Sequence, residues 1–145
     1  MKLHDEIKAL CHEIGCDNPN GCPAWCCGGR NGTIAPVDAI FCHVSGLIKS
    51  MDIAWLSPAF KNHCIFALVE SFRLSSDIIQ YCSYSIPKDE FVRVYRMLTL
   101  LGPYLKKQEF IMETYQGEVD IKDYINELFE DATAIFDENV NDNND

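Results

Sequence analysis

The chain has 145 residues, the length of one ordinary domain, which is enough to bury a sizeable hydrophobic core. Hydrophobic residues make up 48% of it, and this excludes an intrinsically disordered chain. The net charge is −10, of which −9 lies between Glu118 and Asp145, where ten acids accompany one base. Such a balance argues against a protein that neutralises the nucleic-acid backbone, and no polybasic segment favours an anionic membrane surface.

The N-terminal part predicts one helix followed by a loop. Apolar residues recur at helical spacing on one face, and Gly15 can end the helix in the left-handed conformation. These apolar residues are Leu3, Ile7, Leu10 and Ile14. Residues 15–35 are rich in cysteine, glycine and proline and show no apolar period, which predicts a loop. Because a long loop without secondary structure is rare in a compact domain, we expect something other than a hydrophobic face to hold it.

The residue pattern in the middle of the chain predicts three further helices. Pro36 opens the first, and Ser57 caps the second, which runs toward Ile79 and could break at the serines before Asp77. The apolar spacing of the next segment predicts the third helix, from Phe91 to Leu101. Gly102 and Pro103 follow directly, and this pair is expected to stop the helix.

The C-terminal part predicts two more helices and a tail. A short helix is expected from Tyr104 to Gln116, ended by Gly117. Asp120 then caps an amphipathic helix from Ile121 to Phe136. Residues 139–145 are polar and acidic, which predicts disorder. The fold class is therefore all-α, a single bundle of about five to six helices over residues 1–138 with an N-terminal cysteine- and glycine-rich loop.

A cluster of cysteines near the N-terminus is the strongest chemical signal in the sequence. Thiolates bind zinc tetrahedrally, and the glycines and prolines between these residues supply tight turns. The candidate ligands are Cys11, His12, Cys16, Cys22, Cys26 and Cys27. The pair spacing differs from that of the usual structural zinc site, so an iron–sulfur cluster and unliganded reduced thiols stay open as alternatives. We expect Cys42, Cys64 and Cys82, which lie in apolar segments, to be core residues.

The first residues lack the apolar region of a secretory signal, and no apolar run is long enough to span a bilayer. We therefore expect a cytoplasmic protein without a membrane contact. Our first interpretation is a small regulatory or interaction protein with a structural zinc site. Its acidic C-terminal helix would bind the basic surface of a protein partner, without direct nucleic-acid binding, and the oligomeric state stays open.

Two other interpretations remain. The chain could be a thiol-based redox or metal-dependent enzyme that uses Cys26 or Cys27, although no known catalytic motif is present. It could also be an acidic inhibitor of the viral type, which mimics nucleic acid and occupies a nucleic-acid-binding protein. This mimicry requires ordered, duplex-like spacing of the acidic side chains.

Overall fold

A computed structural model describes residues 2–12 and 36–142 of the chain. Within these ranges it contains five helices and one two-stranded antiparallel sheet. The helices are α1 (Leu3–His12), α2 (Pro36–Met51), α3 (Pro58–Tyr81), α4 (Lys88–Lys106) and α5 (Ile121–Asp142), and the strands are β1 (Ile111–Thr114) and β2 (Gly117–Asp120). The predicted helical class is confirmed in this broad sense. The residues divide into two compact units, Met1–Cys64 and Ile65–Asp145, and a single domain over 1–138 stays a prediction.

In the first unit, α1 packs against α2 through the apolar faces that the sequence predicts. Ile7 and Leu10 of α1 are buried, as are Val37, Phe41 and Val44 of α2. The contact also includes a polar bond, because the Ser45 hydroxyl donates to the His4 carbonyl oxygen at 2.8 Å. The predicted first position of α2 at Pro36 is confirmed. Ile14 and Gly15, which were expected to end α1, lie outside the described residues.

Helix α3 begins as predicted but does not break at its serines. The Ser57 hydroxyl accepts a hydrogen bond from the Phe60 amide at 3.2 Å, which is the geometry of an N-terminal cap. Ser75 donates to the Ser71 carbonyl oxygen at 2.8 Å, and Ser76 donates to the Leu128 carbonyl oxygen of α5 at 2.9 Å. Because these buried hydroxyls have partners, the helix continues to Tyr81 and the expected break is wrong.

The expected end of α4 at Gly102 and Pro103 is also wrong. The helix continues through both residues to Lys106. Leu101 and Leu105 are both fully buried, and residues four apart share one face of a helix. Fully burying a leucine contributes roughly 1.5–3 kcal/mol, which offsets a cost of about 3 kcal/mol for a proline inside a helix. The burial of Leu105 thus explains why the chain stays helical beyond Pro103.

The expected short helix from Tyr104 to Gln116 is replaced by a β-hairpin. Strand β1 pairs with β2 in a register that places Met112 opposite Val119, and these two side chains point inward. Gly117 has φ of +103°, a backbone conformation that side chains rarely adopt, so it supports the turn and does not end a helix. The polar–apolar–polar order of Glu118, Val119 and Asp120 directly after Gly117 is the sequence signal for this hairpin.

Helix α5 confirms the predicted N-terminal cap and apolar face. The Asp120 carboxylate accepts a hydrogen bond from the Lys122 amide at 2.9 Å. Ile121, Ile125 and Ala132 are buried, whereas Leu128 is only half-buried. The helix extends to Asp142, although the composition predicts a disordered tail from Asn139 onwards; residues 143–145 lie outside the described residues.

Candidate partner-binding surface

The side chains of all six predicted metal ligands lie outside the described residues. Cys16, Cys22, Cys26 and Cys27 lie outside the described residues, and so do the side chains of Cys11 and His12, whose backbone belongs to the last turn of α1. In residues 2–10 and 37–140, whose side chains are described, no group of three or more histidine, cysteine, aspartate or glutamate side chains could hold a metal ion. The predicted zinc or iron–sulfur site therefore stays a prediction.

The three later cysteines have different surroundings. Cys42 and Cys64 are buried, which confirms the prediction that they belong to the core. Burial raises the pKa of the Cys64 thiol, because the charged thiolate is disfavoured away from water. Cys82 is exposed just after the end of α3, so the expectation that it is a core residue is wrong.

The acidic residues of α5 form one exposed face. We call this set the acidic face: Glu127, Glu130, Asp131, Asp137 and Glu138. All five side chains are exposed. Their spacing follows the helical period, so they form a stripe that extends about 16 Å along the axis at 1.5 Å per residue. The sequence predicts that the acidic C-terminal helix binds a partner, and the structure places all five of these acids at the surface of that helix.

The acidic face is not neutralised within the described part of the chain. None of its five carboxylates lies within 4.0 Å of a described lysine or arginine nitrogen. The half-buried acids on α3 differ from the acidic face, because Arg73 pairs with Glu70 at 2.9 Å and with Asp77 at 3.4 Å. On α5, like charges three and four residues apart repel each other, which destabilises a helix by a few tenths of a kcal/mol per pair. The face is therefore available to an external cation.

The side of α5 opposite the acidic face packs against α4 through stacked aromatic rings. The ring of Tyr95 stacks on Phe136 with centroids 3.9 Å apart and nearly parallel planes, and Phe91 lies 5.4 Å from Phe136. The Tyr95 hydroxyl also forms a hydrogen bond of 2.9 Å with the Thr133 hydroxyl. Such contacts stabilise a helix pair beyond simple burial, so the acidic face lies on a helix that is packed against α4.

The polar cluster around Tyr124 lies at the contact of α5 with α3. Burial raises the pKa of Tyr124, while the positive charge of Arg73 acts in the opposite direction. The pKa of Arg73 is itself raised, chiefly by its hydrogen bond and charge interaction with Glu70. Arg73 thus forms its ion pairs with Glu70 and Asp77 on α3.

Among the described helices, none is long and apolar enough to cross a membrane. No family model matches this chain, and it matches no curated protein and no solved structure.

Proposed function

We propose that this protein is a small interaction or regulatory protein whose acidic face on α5 binds a basic surface of a protein partner. The observation that carries this proposal is the exposure of five carboxylates on one helix, with no described lysine or arginine nitrogen within 4.0 Å of them. Charges at the rim of an interface act mainly on the association rate and its salt dependence. The partner is therefore expected to associate faster at low salt than at high salt.

A pull-down from host extract at low and high salt tests the proposal. The first variant replaces all five acids of the acidic face by their amides. A matched comparison then uses two double variants, Glu130→Gln with Asp131→Asn on the acidic face and Asp52→Asn with Glu109→Gln elsewhere on the surface. Each double variant removes two negative charges from the net −10, so only their position differs. The proposal requires that the acidic-face variants lose the partner while the control keeps it.

The identity of the recovered partner separates two versions of this function. A nucleic-acid-binding protein that duplex DNA or RNA displaces from the acidic face would make the protein a nucleic-acid mimic. A basic partner that nucleic acid does not displace would make it an ordinary interaction protein. Recovery of the same partners by the wild type and by both acidic-face variants would contradict both versions.

We also propose that residues 11–27 hold a structural metal ion, with zinc as the first candidate. Five cysteines and His12 within seventeen residues support this, since such a density of soft ligands without an apolar face suits a metal-held loop. Elemental analysis and an absorption spectrum of protein purified anaerobically without added metal would test it. One equivalent of zinc is expected, whereas visible absorption would indicate an iron–sulfur cluster.

A matched pair of variants connects the metal to the cysteine cluster. Cys22→Ser should lower the metal content and loosen the N-terminal region, whereas Cys82→Ser should leave the metal content unchanged, because Cys82 lies exposed after α3. Well under one equivalent of any metal in the wild type, with no gain on reconstitution, would contradict the metal site. It would also leave Cys26 and Cys27 as free thiols, the starting point for the redox alternative.

A further inference from the structure

The outward face of the β-hairpin combines acidic and apolar side chains. In the register of the two strands, Glu113 lies directly opposite Glu118, and Ile111 lies opposite Asp120. Residues that are directly opposite, and residues two apart along a strand, share one face of a sheet. All four side chains are exposed, and Ile111 exposes 61% of its surface. Tyr115 is fully exposed at the turn beside them.

This face is electrostatically unfavourable in the isolated protein. Like charges directly opposite each other on neighbouring strands destabilise a sheet. Among the described residues, no lysine or arginine lies within 4.0 Å of Glu113 or Glu118. An added cation that lies between these two carboxylates would relieve their repulsion. On the inward face of the hairpin, by contrast, Met112 is buried.

We propose that the outward face of the hairpin binds an extended segment of a protein partner that carries a lysine or arginine and an apolar residue in turn at every second position, so that both point to the same side. In an extended chain, side chains two residues apart point to the same side and lie about 7 Å apart, which is also the spacing of Ile111 and Glu113 along β1. Cationic side chains of the segment would contact Glu113, Glu118 and Asp120, and apolar ones would cover Ile111 and Tyr115. The inference rests on the proposed function in one respect, that the partner is basic.

The observations favour this occupant over two others. A second copy of the chain would bring the same three acids to the same place, and their repulsion disfavours a symmetric contact between two hairpins. A metal ion is not indicated, because the described side chains provide no group of three or more candidate ligands. The exposed Ile111 beside the acids instead fits a partner that offers both charge and apolar surface.

The experiment uses the full chain and a defined probe. The probe is a fluorescent peptide of about six residues, the length of a typical strand, with lysine and valine in turn at every second position and serine between them. A second peptide replaces each valine by serine and therefore keeps only the charge. Fluorescence anisotropy measures the affinity of each peptide for the wild type and four variants, and circular dichroism confirms that each variant folds.

Two variants change the hairpin and two serve as controls. Glu113→Gln with Glu118→Gln removes the opposed charges, and Ile111→Thr removes the exposed apolar group but keeps a residue that suits a strand. Leu74→Gln removes a similarly exposed apolar side chain from α3, where Leu74 is 49% exposed. Asp5→Asn with Asp52→Asn removes two exposed negative charges outside both the hairpin and the acidic face, and controls for the general loss of negative charge.

We expect the hairpin charge variant to bind the lysine–valine peptide about three- to tenfold more weakly, with a flatter salt dependence. Ile111→Thr should weaken binding of this peptide about threefold and leave the lysine–serine peptide unaffected. Both controls should bind like the wild type. Equal binding by the wild type and the hairpin charge variant, no binding of either peptide, or equal effects of Ile111→Thr and Leu74→Gln would each overturn the inference.

The same measurements distinguish this inference from the proposed function. If the hairpin variants leave peptide binding unchanged while the acidic-face variants lose the natural partner, the hairpin inference fails and the role of α5 stands. If the hairpin variants weaken peptide binding while the natural partner is recovered normally by all acidic-face variants, the role of α5 fails and the hairpin inference stands.

Discussion

Pro103 lies inside α4, and its replacement by alanine should stabilise the protein. A proline has no amide hydrogen, so the carbonyl oxygen of Thr99, four residues earlier, has no helical partner at this position. An interior proline is about 3 kcal/mol less favourable than alanine in a helix. The ring of Pro103 is exposed, so its removal uncovers no core surface. Pro103→Ala should therefore recover most of this free energy.

Part of the gain is lost through the unfolded state. Proline restricts the unfolded chain, and replacing it returns freedom that folding must remove again, at a cost of about 0.4–1 kcal/mol. The expected net increase in the free energy of unfolding is therefore about 2 kcal/mol. Urea unfolding followed by circular dichroism would measure it as a higher midpoint with an unchanged slope. In amide exchange, the new amide at position 103 should be protected.

Pro58 provides the matched control. It is also exposed but occupies the first position of α3, where no helical partner for an amide exists in any case. Pro58→Ala should be neutral or should destabilise the protein by up to about 1 kcal/mol. If both substitutions change the free energy of unfolding equally, or if Pro103→Ala destabilises the protein, the reasoning is refuted and α4 does not continue through Pro103.

Three further predictions concern the core, the cap of α5 and the cysteines. Ile125→Ala should destabilise the protein by about 2–5 kcal/mol because Ile125 is buried, and half-buried Leu128→Ala should cost less; equal midpoint shifts in urea unfolding would contradict this. Asp120→Ala should cost about 1 kcal/mol and Asp120→Asn much less, since an amide oxygen can also cap a helix, again measured by urea unfolding. Maleimide should label Cys82 before Cys64 in mass-spectrometric peptide mapping, because Cys82 is exposed. Burial raises the pKa of Cys64, so above the ordinary thiol pKa of 9.0 the folded state retains a proton that the unfolded state loses. The free energy of unfolding should therefore fall as the pH rises above 9.0, and Cys64→Ala should remove this part of the pH dependence.

Local sequence signals predicted the beginnings of helices well. Pro36, Ser57 and Asp120 each mark a helix start that the structure confirms, because capping and the fixed φ of proline act within one turn of the chain. The end of α4 was not predictable in this way. Whether the chain stays helical beyond Pro103 depends on the burial of Leu105 in the folded protein, and no local pattern contains that information.

The two candidate surfaces also differ in whether a local sequence pattern predicts them. The acidic face could be predicted because residues such as Glu127 and Asp131 follow the helical period and lie opposite the apolar stripe. The hairpin face could not, since it depends on the pairing of Glu113 with Glu118, and this register is set by a turn at Gly117. The exposure of Cys82 was missed because the segment before it is apolar while the helix ends just there.

The carboxylates of the acidic face should lower the free energy of unfolding and raise the rate of association with the partner. Glu127 lies three and four residues before Glu130 and Asp131, and each like-charge pair destabilises the helix by about 0.2–0.5 kcal/mol. Replacing all three by their amides should therefore raise the free energy of unfolding slightly at low salt, and the difference should vanish at high salt, where the charges are screened. The same variant should bind the basic partner more slowly. Urea unfolding and association kinetics at two salt concentrations measure both effects. A variant that is less stable than the wild type and binds equally fast would show that the three acids serve the fold and not recognition.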